Sequence, residues 1–327
     1  MPYTARKGVN EMRQMHKCCA GIDVHRMIVV VTIARASADG GSICFETKEF
    51  KAFHGELRKF AVWVKECGVE VAVMESTGVY WKPVYEALEE SDVVATVVNA
   101  RHVKNVPGRK TDVSDSKWLA ELALHGLLRA SFVPPRDFRE IRMLTRYRAK
   151  LVQIMSAEKN RLHKILDSGG IKLGSVVSSI DGVSATMMIA GLMEGNHQPG
   201  KLAKMARGTL AKKIPELKKA LEGRMSDRHR FLLRKIQDHI AGLVALISEI
   251  DVLVVAALKP YAKEWELVQT VPGFDQIAAA MLLAEIGIDM SCFQNRSRIS
   301  SWAGLCPGNN QSAGKKRADE PVRAMAL

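Results

Sequence analysis

The chain has 327 residues, 47% of them hydrophobic, enough to bury a core in one large or two smaller domains; this composition excludes a disordered protein. Lys plus Arg outnumber Asp plus Glu by 48 to 35, a formal charge of +13, which points first to nucleic acid as a polyanionic partner. The N-terminal stretch carries no apolar signal segment, and the apolar run from Ile277 to Ile288, broken by Glu285, is too short to span a bilayer. The expected location is the cytoplasm, with no membrane partner. The six cysteines (Cys18, Cys19, Cys44, Cys67, Cys292 and Cys306) have no zinc-type spacing and read as small core residues or inert thiols.

The first third alternates strand and helix signals. Cys19 to Val24 and Met27 to Ala36 are apolar and β-branched, Ser37 to Ser42 is a turn, and "ICFETKEF" alternates as a half-exposed strand does. Phe53 to Cys67 has Leu57, Phe60, Ala61 and Val64 at helical spacing. A short strand over Glu70 to Met74, a helix over Tyr80 to Glu89, a strand over Val93 to Val98 and a helix over Asp112 to Leu124 follow. The order βββαβαβα predicts an α/β domain with a mixed sheet.

The middle changes period. Ile141, Leu144, Arg148, Leu151, Met155, Glu158, Leu162 and Ile165 alternate three and four apart. So do Leu232, Ile236, Ile240, Leu243, Ile247, Ile250, Val254 and Ala257, apart from one extra step of four. This is coiled-coil periodicity, and two such helices, separated by a Gly-rich stretch and a basic segment from Lys201 to Lys219, can pair within one chain or between chains. Ordinary helix packing gives nearly the same pattern. From Trp265 on, "TVPGFDQIAAAMLLAEIG" reads as a helix end, a Pro-Gly turn and an apolar helix, a helix-hairpin-helix-like unit that can aim backbone N–H groups at phosphate.

The chemistry-bearing residues are carboxylates. Asp23 sits in an apolar strand, where a lone buried charge is costly. Glu75 closes a later strand and precedes a Ser-Thr-Gly turn. Asp112 and Asp115 are three apart at the start of a helix that Thr111 can cap, so they share a face. Each has a plain structural alternative. The Asp pair suits the helix dipole, Glu75 can pair with a Lys or Arg, and "DVHR" can be a hairpin turn. As an ordered set they would repel one another, and a divalent cation with oxygen ligands removes that penalty. Two such ions can hold the attacking and leaving oxygens of a phosphoryl transfer.

The set Asp23, Glu75, Asp112 and Asp115 resembles the DEDD transposases of the IS110 insertion-sequence family. The matching strings are "GIDVH", "MESTGVYWKPVYEAL", "VVNARHVKNVPGRKTDVSDSKWLAELALHGLL", "VPGFDQIAAAMLLAEIG" and "SWAGLCPGNNQSAGK". The resemblance implies a RuvC-like, ribonuclease-H-like domain over 18–135 after an N-terminal extension of 1–17. It further implies a helical, coiled-coil region over 136–262 and a small helical transposase domain over 263–327. It assigns the four acids to Mg²⁺ (or Mn²⁺) and makes Ser312 the nucleophile of DNA cleavage and rejoining. From the residues alone Ser312 is no more notable than Ser297, Ser300 or Ser301. The implied partners are donor and target DNA, a structured non-coding bridge RNA that selects the sites, and further copies of the chain in a homodimer or homotetramer. Candidate backbone contacts are Arg101, Lys104, Arg109 and Lys110 beside the acids, and Lys315, Lys316 and Arg317 beside the serine. Family members continue past the serine into a basic helix, whereas this sequence ends at Leu327, so an incompletely folded serine domain is expected. The competing readings are a metal-dependent junction nuclease with no covalent step, a basic non-enzymatic bridge, and a copy that only binds nucleic acid.

Overall fold

A computed structural model describes residues 15–37, 42–76, 78–100, 103, 114–293, 295–305, 311–312 and 315–316. The chain divides into two compact units, residues 1–133 and 134–327.

In the first unit β1 (Cys18–Val24), β2 (Ile28–Ala36) and β3 (Ile43–Lys51) pair antiparallel. After α1 (His54–Glu66), β4 (Val71–Glu75) joins β1 in parallel; after α2 (Trp81–Glu90), β5 (Ala95–Val98) joins β4 in parallel. The helix α3 (Asp115–Leu124) follows. The order of elements is the one read from the sequence, and the strand order β3-β2-β1-β4-β5 makes a ribonuclease-H-like mixed sheet. Strand alternation sends successive side chains to opposite faces. Ala20, Ile22 and Met74 pack with Leu57, Phe60, Val64 and Leu88 on one face. Cys19, Val73 and Val98 pack with Trp118, Leu119 and Leu122 on the other. Covered on both faces, β1 is a nearly continuous apolar run.

One glycine sets how closely α3 approaches. A Cβ on Gly21 would stand 2.0 Å from the Ser116 carbonyl oxygen and 2.3 Å from the Ala120 nitrogen, both backbone atoms. Only glycine lets the first turns of α3 lie directly on β1. Thr32, the antiparallel partner of Gly21, completes the contact: its hydroxyl is 2.9 Å from that of Ser116 and 2.9 Å from that of Thr47.

The second unit is helical among its described residues, apart from two short strands. A long helix, α4 (Arg136–Ser168), leads into an insert with α5 (Val183–Met193), α6 (Pro199–Ala203) and α7 (Ile214–Ala220). Then α8 (Asp227–Leu258) returns, opened by a capping box in which Ser226 and His229 bond reciprocally. The pairing left open between one chain and two is made here within one chain. Leu151, Leu243, Ile247, Ile250 and Val254 are buried in one core, and Leu162, Leu166 and Leu233 share another with Leu173, Met188, Leu202 and Leu217 of the insert. The two polar seam positions have partners across the helices. Arg148 meets Asp251, and Glu158 lies 3.2 Å from His239. The partner number falls as α4 advances, so the helices run antiparallel.

The helical segment that includes α8, Asp227–Gln269, has an 18-residue window with mean hydropathy 2.3, long and apolar enough by length and composition to cross a membrane. Ser248, Glu249 and Asp251 interrupt this stretch, so in the sequence it does not read as one continuous apolar run.

Next come α9 (Ala262–Gln269) and α10 (Gln276–Ile286), joined by a turn whose Gly273 has φ +93°. The Asp275 side chain accepts from Ala278 N–H at 2.7 Å, and Trp265 Nε1 donates to the Gln276 carbonyl at 2.8 Å, tying the two helices together. The charge inside the apolar run, Glu285, is buried and answered from α4. Arg146 donates to both its carboxylate oxygens at 2.7 and 2.8 Å. Arg142 donates to the carbonyls of Ala284 and Glu285 at 3.0 and 2.7 Å, capping the C-terminal end of α10. The described chain closes with α11 (Arg296–Trp302) and the paired strands β6 (Gln311–Ser312) and β7 (Lys315–Lys316).

Candidate active site

The sheet register brings two of the expected acids to one edge. Parallel pairing of β1 and β4 runs from Cys19–Val71 to Ile22–Met74, so Asp23 and Glu75 are the next residue on each strand. By alternation Asp23 shares its face with Cys19 and Gly21, and Glu75 shares its face with Val73. That is the face on which Cys19 and Val73 pack against α3 and on which Gly21 meets Ser116. Asp115 is the first residue of α3, one position before Ser116. Asp115 thus opens the helix that packs on this face at Gly21, but with Asp23 and Glu75 it does not form a group close enough to hold a metal ion.

Asp23 is not a turn residue. It pairs with Val30 inside the β1–β2 ladder. Nor is it the isolated buried charge its apolar surroundings predict: the side chain is 29% exposed and the His25 Nε2 stands 3.0 Å from its Oδ2. His25, the first residue after β1, was not singled out from the sequence. The Thr111 cap and Asp112 lie outside the described residues; α3 begins after Ser114, which makes no side-chain cap. Arg101, Lys104, Arg109, Lys110 and Arg317 also lie outside them.

Carboxylate oxygens are the donor chemistry that hard divalent cations prefer. Among the described residues no three His, Cys, Asp or Glu stand close enough together to hold a metal ion, and Asp112 is not among those residues. The thiols are no substitute. Burial, the leading cause, pushes the Cys19 pKa up to about 12, and burial also raises that of Cys18. Both stay protonated and inert at neutral pH, as read from the sequence.

In the second unit Ser312 lies in β6, directly opposite Lys315 in the antiparallel pair, with Lys316 opposite Gln311.

Two family profiles match the chain. One, described as a DEDD transposase of IS110, covers residues 20–170; the other, described as the transposase IS116/IS110/IS902 family, covers residues 265–325. The chain belongs to the IS110 family of transposases. The first match spans the sheet with Asp23, Glu75, Asp112 and Asp115, and the second spans the α10 hairpin and Ser312. No curated protein sequence matches this transposase. Among solved structures it is similar to RuvC of T. thermophilus in complex with a Holliday junction substrate, at 12% identity over 36% of this chain and 100% of that one, with a TM-score of 0.27. A second Thermus thermophilus RuvC structure matches at 15% identity over 36% of this chain and 84% of that one, with a TM-score of 0.25.

Proposed function

We propose that this transposase cuts and rejoins the DNA of an insertion sequence with Asp23, Glu75, Asp112 and Asp115 as ligands of Mg²⁺ or Mn²⁺ and Ser312 as the nucleophile. The observation that carries the reading is the register of β1 and β4, which makes Asp23 and Glu75 neighbours on the face that also receives the start of α3. A cation bound by these carboxylates supplies charge to the phosphoryl oxygens in the transition state. His25 holds one oxygen of Asp23 and so fixes which oxygen is left for a ligand.

The covalent step is a transesterification. The Ser312 Oγ forms a bond to phosphorus, a P–O bond of the DNA strand breaks, the seryl proton is lost and the departing oxygen gains one. The phosphoserine link conserves a phosphodiester, so rejoining to another strand end needs no external energy source. Lys315 pairs with Ser312 in the β6–β7 register, and Lys315, Lys316 or Arg317 would supply positive charge for the charge that develops. Donor and target DNA are the substrates. A structured RNA selects them by base pairing while Lys and Arg hold the backbones, and the acids of one copy work with the serine of another in a homodimer or homotetramer.

Trapping a denaturant-stable protein–DNA adduct tests this. The wild-type protein with its RNA and Mg²⁺ is expected to give the adduct, and Ser312→Ala to give none while still binding RNA. An undiminished adduct in that variant removes Ser312 from the role. Strand cleavage without any adduct favours hydrolysis by water.

A further inference from the structure

The basic segment from Lys201 to Lys219 has no part in the carboxylate or serine chemistry. It holds seven cations, Lys201, Lys204, Arg207, Lys212, Lys213, Lys218 and Lys219, against one acid, Glu216. All seven are exposed, and none forms an ion pair with another described residue. Exposed cations of like sign, crowded on a small helical insert and left unneutralised, repel one another unless a polyanion covers them.

The insert also has a cleft of about 530 Å³ bordered by this segment. Arg207 and Lys213 line it, together with the hydroxyl-bearing Ser178, Ser179 and Thr209. The first turn of α5 also lines it, and its N-cap, Gly182, offers no side chain to the free N–H groups. The backbone of Arg207 is fixed there, its N–H donating to Ser184 Oγ at 2.9 Å. The acid beside the N-cap of α5, Asp181, is already engaged by Lys159. Cations, hydroxyls and a helix N-terminus around one opening are phosphate-binding chemistry, with no base-reading pattern among them.

We infer that the cleft of the 171–226 insert is a nucleic-acid clamp that seats the phosphodiester backbone on Arg207 and Lys213, the remaining lysines of the segment carrying its continuation. The site is separate from the carboxylates, and it assigns the insert a holding role in whichever step the transposase performs.

Fluorescence anisotropy of the full-length protein tests it, with a labelled random-sequence DNA duplex and an RNA stem-loop, in EDTA so that no metal-dependent chemistry contributes. The Arg207→Ala/Lys213→Ala double variant is expected to bind about tenfold more weakly at low salt. Its plot of log affinity against log salt should be shallower by about 2, the loss of two phosphate contacts. Loss on RNA, on DNA or on both supports the clamp and identifies the backbone it holds. A charge-matched control, Lys59→Ala/Lys65→Ala, removes two exposed lysines of the first unit that pair with Glu56 and Asp92, and should leave the slope unchanged. A wild-type slope in the double variant, or an equal loss in the control, overturns the inference. Adduct formation on Ser312 is read independently, so failure here leaves that assignment standing.

Discussion

The two units solve the placement of charge in opposite ways. In the sheet unit the acids of interest are set by backbone geometry: strand register aligns Asp23 with Glu75, and a missing side chain at Gly21 lets α3, which Asp115 opens, pack on the same face. In the helical unit buried and half-buried charges are set by side-chain partners: Glu285 by Arg142 and Arg146, Arg148 by Asp251, Glu158 by Arg161 and His239. Charge satisfied by fixed partners is structural. The acids at the sheet edge are the ones proposed above as cation ligands.

Gly21→Val breaks the sheet side of this comparison most severely. Its Cβ meets two backbone atoms that no rotamer change can move, so α3 must shift bodily. Destabilisation of about 4 kcal/mol is expected, at the extreme of single substitutions, measurable as a lowered urea midpoint. A loss under about 1 kcal/mol would mean that α3 yields easily and does not fix Asp115. On the helical side Glu285→Ala strands Arg142 against the C-terminal carbonyls of α10 and leaves its guanidinium without the carboxylate. A loss of about 3 kcal/mol is expected in the same measurement, because removing one partner leaves the other charge buried. Glu285→Gln, which keeps an acceptor, should lose less.

The smallest effect separates an exposed pair from these. The His16 ring and the Lys17 N–H both bond Glu70, holding its carboxyl below the usual carboxylate range. A lowered folded-state pKa contributes stability that is present above the unfolded value and is lost as pH falls through the folded one. The small gap in urea midpoint between wild type and Glu70→Gln at pH 7 should therefore close on acidification. A gap that persists below the carboxylate range would assign it to packing rather than charge.

Much of the sheet unit was legible because period-two patterning and β-branched runs determine strands locally, and the acids stand at element ends. The roles of Gly21 and His25 were not, since each depends on which residues lie across a strand or beneath a helix. The seam polars Arg148 and Glu158 looked like flaws in an apolar stripe; their partners on α8 lie about 80 to 100 residues away, a separation no local pattern encodes. Ser312 drew its interest from family resemblance, and its place opposite Lys315 follows from pairing that a Gly- and Asn-rich stretch does not announce.

Isothermal titration of Mn²⁺ into the full-length protein tests the carboxylate site most directly. The wild type should bind, and Asp23→Asn and Glu75→Gln should each weaken binding by at least about tenfold, the lower range for losing even an outer-shell partner. The helical-unit control, Asp251→Asn, should titrate like the wild type. An unchanged isotherm for Asp23→Asn would contradict the account, because the acid at the centre of the register would then hold no metal.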